Sequence, residues 1–279
     1  MNLHCFTTIA EFYDRAHPYL MRQEVAHNLL LRLLTALVRD PDRYPEPPYM
    51  AIVEKAGEPV AIALQTPPHP LVLSSVAEFM AIDLIATDIQ TRGLNITEVN
   101  APIAEAKAFI ASWQWLTGQG TTLQRALRLH QLTAVQPQPA LNGRLRLATE
   151  ADRSRLRTWR DAFMSEANPT VTSDPDRWIT SQLAHQTAYF WEDEQPVCLV
   201  CGYSATERSA TINLVYTPPE FRKQGYATAS VAALSQRLLD RGFTCCVLFT
   251  DLANPTANKI YRAIGYQPIC DWHHYRLQR

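Results

Sequence analysis

The sequence predicts a mixed α/β fold: a mostly antiparallel sheet flanked by helices, built as two such domains in tandem. Three observations predict it. Apolar residues alternate with period two in some stretches and recur at three and four in others, so strands and helices succeed one another along the chain. Strand pairs close in sequence suit hairpins, whereas one strand–loop–helix–strand crossover calls for a parallel pair. The 279 residues amount to about two domains at roughly 150 residues each.

The N-terminal part reads as follows. Phe6, Ile9, Ala10 and Tyr13 have helical spacing, and Leu20 to Val38 carries Leu29, Leu30, Leu33, Leu34 and Leu37, so residues 1 to about 40 read as helical. The proline-rich Asp40–Pro48 is a turn. Tyr49–Glu54 and Pro59–Gln65 read as a hairpin around Lys55–Glu58, with a short strand at Leu71–Ser74. Ser75–Thr91 and Ala101–Leu116 read as helices, the second with Pro102 in its first turn and Gly118 at its stop. Thr121–Ala134 is strand-like. Prolines and polar residues make 135–143 the expected linker between domains 1–134 and 144–279.

The second half begins with a strand at Arg144–Leu147 and a helix at Glu150–Ala167 with Leu156, Trp159, Arg160 and Phe163 near one face. Ser173 or Asp174 caps the next helix ahead of Pro175. Ala188–Trp191 and Pro196–Tyr203 form a hairpin, and Thr211–Tyr216 is a β-branched and aromatic strand ended by Pro218-Pro219. Tyr226–Arg241 is a helix with Ala227, Val231, Leu234 and Leu238 on one face and Gly242 as its stop. Cys245–Thr250 is then a strand parallel to Thr211–Tyr216. Asn254-Pro255 starts a helix running to about Ile264, and Trp272–Leu277 makes a terminal strand.

Composition narrows the function classes. With 47% hydrophobic and 19% charged residues, the chain has the makings of real cores. A formal net charge of −1 supplies no long-range attraction for nucleic acid or an anionic membrane. The N-terminus lacks a basic-then-apolar leader pattern, and the apolar run from His27 to Val38 is broken by Arg32 and too short for a bilayer. The expectation is a soluble cytoplasmic protein. Cys198 and Cys201 have C-x-x-C spacing, yet on a strand they face opposite sides, and no second such pair completes a zinc site. Buried free thiols are the expected state of the six cysteines, and no metal is expected.

Arg222-Lys223-Gln224-Gly225-Tyr226-Ala227 joins a strand to a helix N-terminus, where free N–H groups and the helix dipole make an anion site. The Arg-x-x-Gly-x-Ala pattern, the two prolines ahead of it and Asn254-x-x-x-Asn258-x-x-Tyr261 downstream resemble the GNAT family of acyl-CoA-dependent N-acetyltransferases. The resemblance covers about half the chain, from Arg144 onward. Residues 1–134 show a comparable order of helices and strands and are expected to be a degenerate copy, its counterpart loop near Thr91–Leu94 lacking the pattern.

The resemblance implies that acetyl-CoA is the cosubstrate and lies where two parallel strands splay. It implies that backbone N–H groups of Lys223 to Thr228 hold the pyrophosphate, with Arg222 as a cofactor-binding residue at the family's Gln/Arg position, that Val215 N–H faces the thioester oxygen, and that Thr217 meets the pantetheine arm. Tyr261 matches the family's general acid, with Asn254 and Asn258 beside it. The position of the acidic base found in some members falls near Thr211, which cannot serve; Glu166, His273 and His274 are candidates from general chemistry alone. The expected activity is acetyl transfer to a primary amine of a small molecule or peptide by direct attack. The alternatives are a non-catalytic acyl-CoA-binding module and a tRNA-dependent transferase, the latter disfavoured by the charge of −1.

Overall fold

A computed structural model describes residues 1–167, 174–204 and 206–278. In chain order its elements are β1 (Asn2–Cys5), α1 (Ile9–Met21), α2 (Asn28–Arg39), β2 (Tyr49–Lys55), β3 (Glu58–Gln65), β4 (Leu71–Leu73), α3 (Met80–Thr91), β5 (Glu98–Pro102), α4 (Ile103–Thr117) and β6 (Thr121–Leu132). There follow β7 (Arg144–Leu147), α5 (Arg153–Ala167), α6 (Pro175–Ala184), β8 (Ala188–Asp193), β9 (Gln195–Ser204), β10 (Ser209–Tyr216), α7 (Tyr226–Asp240), β11 (Cys245–Asp251), α8 (Pro255–Ile264) and β12 (Gln267–Leu277). Asp174 caps α6 by accepting the Asp176 N–H at 2.9 Å. Ser173, the other expected cap, lies outside the described residues.

Contacts divide the chain into two compact units. The first comprises Met1–Leu129, Thr250–Asn254 and Pro268–Arg279, and the second His130–Phe249 and Pro255–Gln267. The C-terminal segment thus groups with the N-terminal part. The physical reason is strand pairing: β12 bonds antiparallel to β5, with Trp272 opposite Pro102 and Arg276 opposite Glu98.

In the first unit the strands run in the order β1-β2-β3-β4-β5-β12-β6. β4 and β5 pair in parallel, Leu71 with Val99, and α3 is the crossover between them. Ile82, Ile85, Ala86 and Ile89 of α3 and Phe109 and Trp113 of α4 bury against Ala51, Ala63, Leu73 and Val99. Each isoleucine removed from water there contributes roughly 1.5–3 kcal/mol. Asn2–Cys5 is a strand where helix was expected, the strand Glu98–Pro102 takes in the first two residues of the helix expected at Ala101–Leu116, and of the helix expected at Ser75–Thr91 residues 75–79 lie ahead of α3. The counterpart of the Gly225 loop is accordingly the segment before α3, residues 74–79, and Thr91–Leu94 is the end of that helix.

In the second unit the order is β11-β10-β9-β8-β7, antiparallel except for β10 with β11. One face packs on α7, through Val231, Leu234 and Leu238 against Val200, Ile212 and Leu248. The other packs on α5 and α6, through Leu156 and Ile179 against Phe190, Leu199, Leu214 and Tyr216. Cys198 and Cys201 fall into different clusters on these two faces, as the period of a strand requires.

Candidate active site

The site is built on the divergence of β10 from β11. Their parallel register spans only Ser209–Thr211 against Cys245–Val247, although β10 continues to Tyr216. The cause lies in β10. Asn213 pairs with Cys201 and Tyr216 with Leu199, so Leu214 and Val215 together stand opposite Val200. This is a β-bulge, with Leu214 at φ 46°. A bulge bends its strand, sharpens the twist and takes the extra residue out of the ladder. The Val215 backbone is therefore displaced from regular pairing where the two strands part.

Past β10, the chain turns through Pro218 and Pro219, with the Phe221 N–H on Pro218 O at 2.9 Å and the Arg222 N–H on Pro219 O at 3.3 Å. Lys223 and Gly225 have φ of 63° and 89°. Such reversals turn successive N–H groups inward and form anion-binding concavities. α7 begins at Tyr226 with no side-chain cap, and its first intrahelical bond runs from Ala229 N to Gly225 O at 3.0 Å. The N–H groups of Tyr226, Ala227 and Thr228 therefore have no helical acceptor. A Cβ at Gly225 would meet only Leu141 Cδ2, at 3.7 Å, so the glycine leaves open space over those donors. An uncapped helix end, inward N–H groups and a missing side chain are what a diphosphate requires.

Side chains brace this loop. Arg222 donates from Nε to Thr217 O at 2.9 Å and from Nη2 to both oxygens of Glu166 at 2.8 and 2.9 Å, with its guanidinium 5.8 Å from the Tyr216 ring centre. The hydrogen bond to Glu166 is the main reason that the Arg222 pKa is raised. Thr217 donates from its hydroxyl to Cys198 Sγ at 3.3 Å. Burial pushes the Cys198 thiol up, partly offset by hydrogen bonds with Ser230 and Thr217. The Tyr226 hydroxyl donates to Asp193 at 2.7 Å, and Gln224 Nε2 donates to Glu220 O at 3.2 Å.

Tyr261 lies on α8, half-buried, its ring edge-on to Tyr266 at 5.9 Å. Burial, with Cys198 nearby as a smaller cause, pushes the phenol pKa above the usual range for tyrosine. Tyr261 and Val215 pack against one cluster, and Val215, Tyr226 and Ala227 against another that contains Cys198. Asn258 precedes Tyr261 by one turn of α8. Asn254 immediately precedes Pro255, its N–H on Asp251 O at 3.0 Å, in a segment that groups with the first unit.

The base candidates separate. Glu166 is bound to Arg222. His274 belongs to the first unit, where its Nε2 lies 3.0 Å from Glu98, and burial lowers its pKa in spite of that carboxylate. His273, in the same strand, lies 3.3 Å from the Tyr275 hydroxyl. Sequence reasoning missed the Leu214 bulge, the Thr217–Cys198 contact and the Arg222–Glu166 pair. None has a local signal, since leucine in a strand is ordinary and the other two join distant elements.

Residues 153–266 match the family model described as Acetyltransferase (GNAT) family, and this segment is a GNAT domain. No curated protein matches the sequence. Among solved structures, a GCN5-related N-acetyltransferase from Sphaerobacter thermophilus is similar with a TM-score of 0.64 and 16% identity, over 98% of this chain and 95% of that one. A GNAT-family acetyltransferase from Colwellia psychrerythraea is similar with a TM-score of 0.58 and 11% identity, over 100% of both chains. A tandem GNAT protein from the clavulanic acid biosynthesis pathway gives 0.57 and 13%, over 98% of both. At these identities the likeness is one of fold, and it extends to the N-terminal half, which is also GNAT-like.

Proposed function

We propose that the second unit binds acetyl-CoA and transfers its acetyl group to a primary amine of a small molecule or peptide by direct attack. The observation that carries this reading is the parting of β10 and β11 at the Leu214–Val215 bulge, directly ahead of an uncapped α7 with Gly225 at its start. Acetyl-CoA supplies an activated thioester. The chain supplies the rest.

Backbone N–H groups from Lys223 to Thr228 would hold the diphosphate, and Thr217 would meet the pantetheine arm. Val215 N–H would donate to the thioester oxygen, where a preorganised donor is worth most as charge develops. Tyr261 would donate to the leaving sulfur, with Asn258, one turn earlier on α8, flanking the cofactor. Two features support catalysis over mere binding. The Tyr261 phenol is held protonated by its surroundings, and among the described residues no protein group engages it by hydrogen bond. A chain of solvent would remove the amine proton, because Glu166 is already engaged.

The reading extends to the organisation of the chain. The acetyl-CoA unit corresponds to residues 144–279 of the sequence reading, less Thr250–Asn254 and the terminal strand, and 1–134 act as the degenerate partner joined through 135–143. All six cysteines are free thiols, which supports a reducing, cytoplasmic setting. The test is acetyl-CoA-dependent thiol release with a panel of amines, together with calorimetry. Binding without turnover on any amine would replace the enzyme with a binding module. No binding would end the reading.

A further inference from the structure

Residues 135–143, the stretch that the sequence marks as a linker, are tied down along the second unit. At one end the Gln136 N–H donates to Ile264 O at 2.8 Å, and Gln138 Nε2 donates to Ala263 O at 3.0 Å, so the chain is fixed at the end of α8. At the other end the Trp191 indole N–H donates to Asn142 O at 2.9 Å. Gly143 follows at φ 103°, and a Cβ there would lie 2.5 Å from both Glu192 O and Trp191 Nε1, so glycine is what lets the backbone pass β8 this closely. Tyr226 and Ala227, at the start of α7, pack against the cluster that contains Trp191. Between the anchors stands Leu141, half-buried. Its Cδ2 lies 3.7 Å from the Cβ position of Gly225, the one such neighbour of that position among the described residues.

We propose, on the reading of residues 222–228 as the cofactor loop, that this segment is a wall of the acetyl-CoA site and that Leu141 bounds the place of the diphosphate. The open N–H groups of α7 face the space that Gly225 leaves, and Leu141 limits that space from the side of the linker. An isobutyl group offers no hydrogen bond to a phosphate oxygen. Its effect is to keep water away, and donors aimed at an anion hold it more strongly where water is excluded. The wall costs little order on binding, because Gln136, Gln138 and Asn142 are already bonded on either side of it. Leu141 is thus a cofactor-site residue outside the Arg-x-x-Gly-x-Ala pattern, brought there by the indole of Trp191. The segment from Gln136 to Gly143 is more than a spacer: it completes the pocket that the loop begins.

Opposite charges at Leu141, in the full-length chain, test this. By calorimetry at low salt, acetyl-CoA should bind Leu141→Lys at least about fivefold more tightly than Leu141→Glu, since a diphosphate a few ångströms away attracts one side chain and repels the other. A smaller ratio overturns the proposal. In about 0.5 M salt the ratio should narrow toward one; a gap that salt leaves intact would mean that the substitutions act through packing, and would equally overturn it. Hydrogen exchange of the wild-type chain, read by mass spectrometry, decides the matter even where a variant does not fold. Residues 140–143 should exchange at least about threefold more slowly with acetyl-CoA bound, and exchange there that ignores bound acetyl-CoA refutes the wall. The two readings fail separately. A wild-type chain that binds no acetyl-CoA ends the cofactor reading and the wall with it, whereas one that binds it, with equal affinity in both charged variants, ends the wall alone.

Discussion

Replacing Tyr261 with phenylalanine removes one oxygen from the point where the cofactor sulfur is expected. The ring keeps its edge-on contact with Tyr266, so packing survives. A lost hydroxyl without a protein partner changes stability by less than about 1 kcal/mol, and Tm by no more than about 4 °C at this chain length. The catalytic effect is of another size. A positioned acid contributes on the order of 100–10,000-fold, or about 2.7–5.4 kcal/mol of barrier. Because burial raises the phenol above its ordinary pKa, full proton transfer to a thiolate of solution pKa about 8.5 is uphill. On the proposed mechanism Tyr261 would therefore act chiefly as a hydrogen-bond donor, and the wild-type kcat should show no loss of its proton up to about pH 10. Thiol release gives kcat, calorimetry gives the acetyl-CoA Kd, and thermal melting gives Tm. The expected pattern is a kcat lowered at least about 100-fold with Kd and Tm nearly unchanged. A variant that turns over like wild type makes Tyr261 core packing. One that loses acetyl-CoA binding instead makes the hydroxyl a binding group.

Three further outcomes follow from the geometry. Gly225→Glu puts a carboxylate over the open donors of α7 and forces a side chain to φ 89°, at about 1–2 kcal/mol in strain; acetyl-CoA affinity by calorimetry should fall beyond detection while circular dichroism stays native, and unchanged affinity in a folded variant refutes the loop assignment. Glu166→Gln weakens an exposed ion pair worth at most about 1 kcal/mol, so KM for acetyl-CoA should rise no more than about fivefold with kcat retained, whereas a collapsed kcat would make Glu166 the base. His27 is buried and neutral, stacked on Tyr19, and burial lowers its pKa below the ordinary histidine value; protonation would abolish the Ser75 N–H to Nε2 bond. Its contribution to stability is complete above the unfolded pKa of about 6.5 and is lost as pH falls below it. Denaturant unfolding from pH 7.5 to 5 should show that loss, smaller in His27→Gln, and an identical slope in the variant refutes the assignment.

The parts of the site that the sequence announces are those with punctuation. Pro218 and Pro219 end a strand, Gly225 opens a helix at a φ that only glycine adopts easily, and Gly242 closes it at φ 99°. The loop and its helix are legible because each boundary has a residue type that excludes alternatives. The splay has no such mark. Its origin is Leu214 at φ 46°, a conformation that leucine shuns and that the packing of Leu214 against Phe190 and Leu199 imposes.

The first unit shows the same limit from the other side. Residues 75–79 carry apolar spacing that suits a helix, yet Ser75 and Val76 lie outside α3, bonded to His27, 48 residues away, and Glu105, 29 residues away. Local propensity amounts to a few tenths of a kcal/mol per residue, while leaving a buried carboxylate without its donor costs about 1–3 kcal/mol or more. The tertiary bonds therefore decide the backbone, and no window of neighbouring residues contains them. β12 obeys the same arithmetic. Its sequence makes it a strand, but its partner is β5, some 170 residues earlier, and the Glu98 carboxylate that receives Arg276 and His274 fixes that choice only once both strands exist. What a sequence announces locally is where elements start and stop. How each segment between a strand and its helix is held is decided by side chains that reach it from elsewhere in the fold, as Glu105 reaches Val76 and Glu166 reaches Arg222.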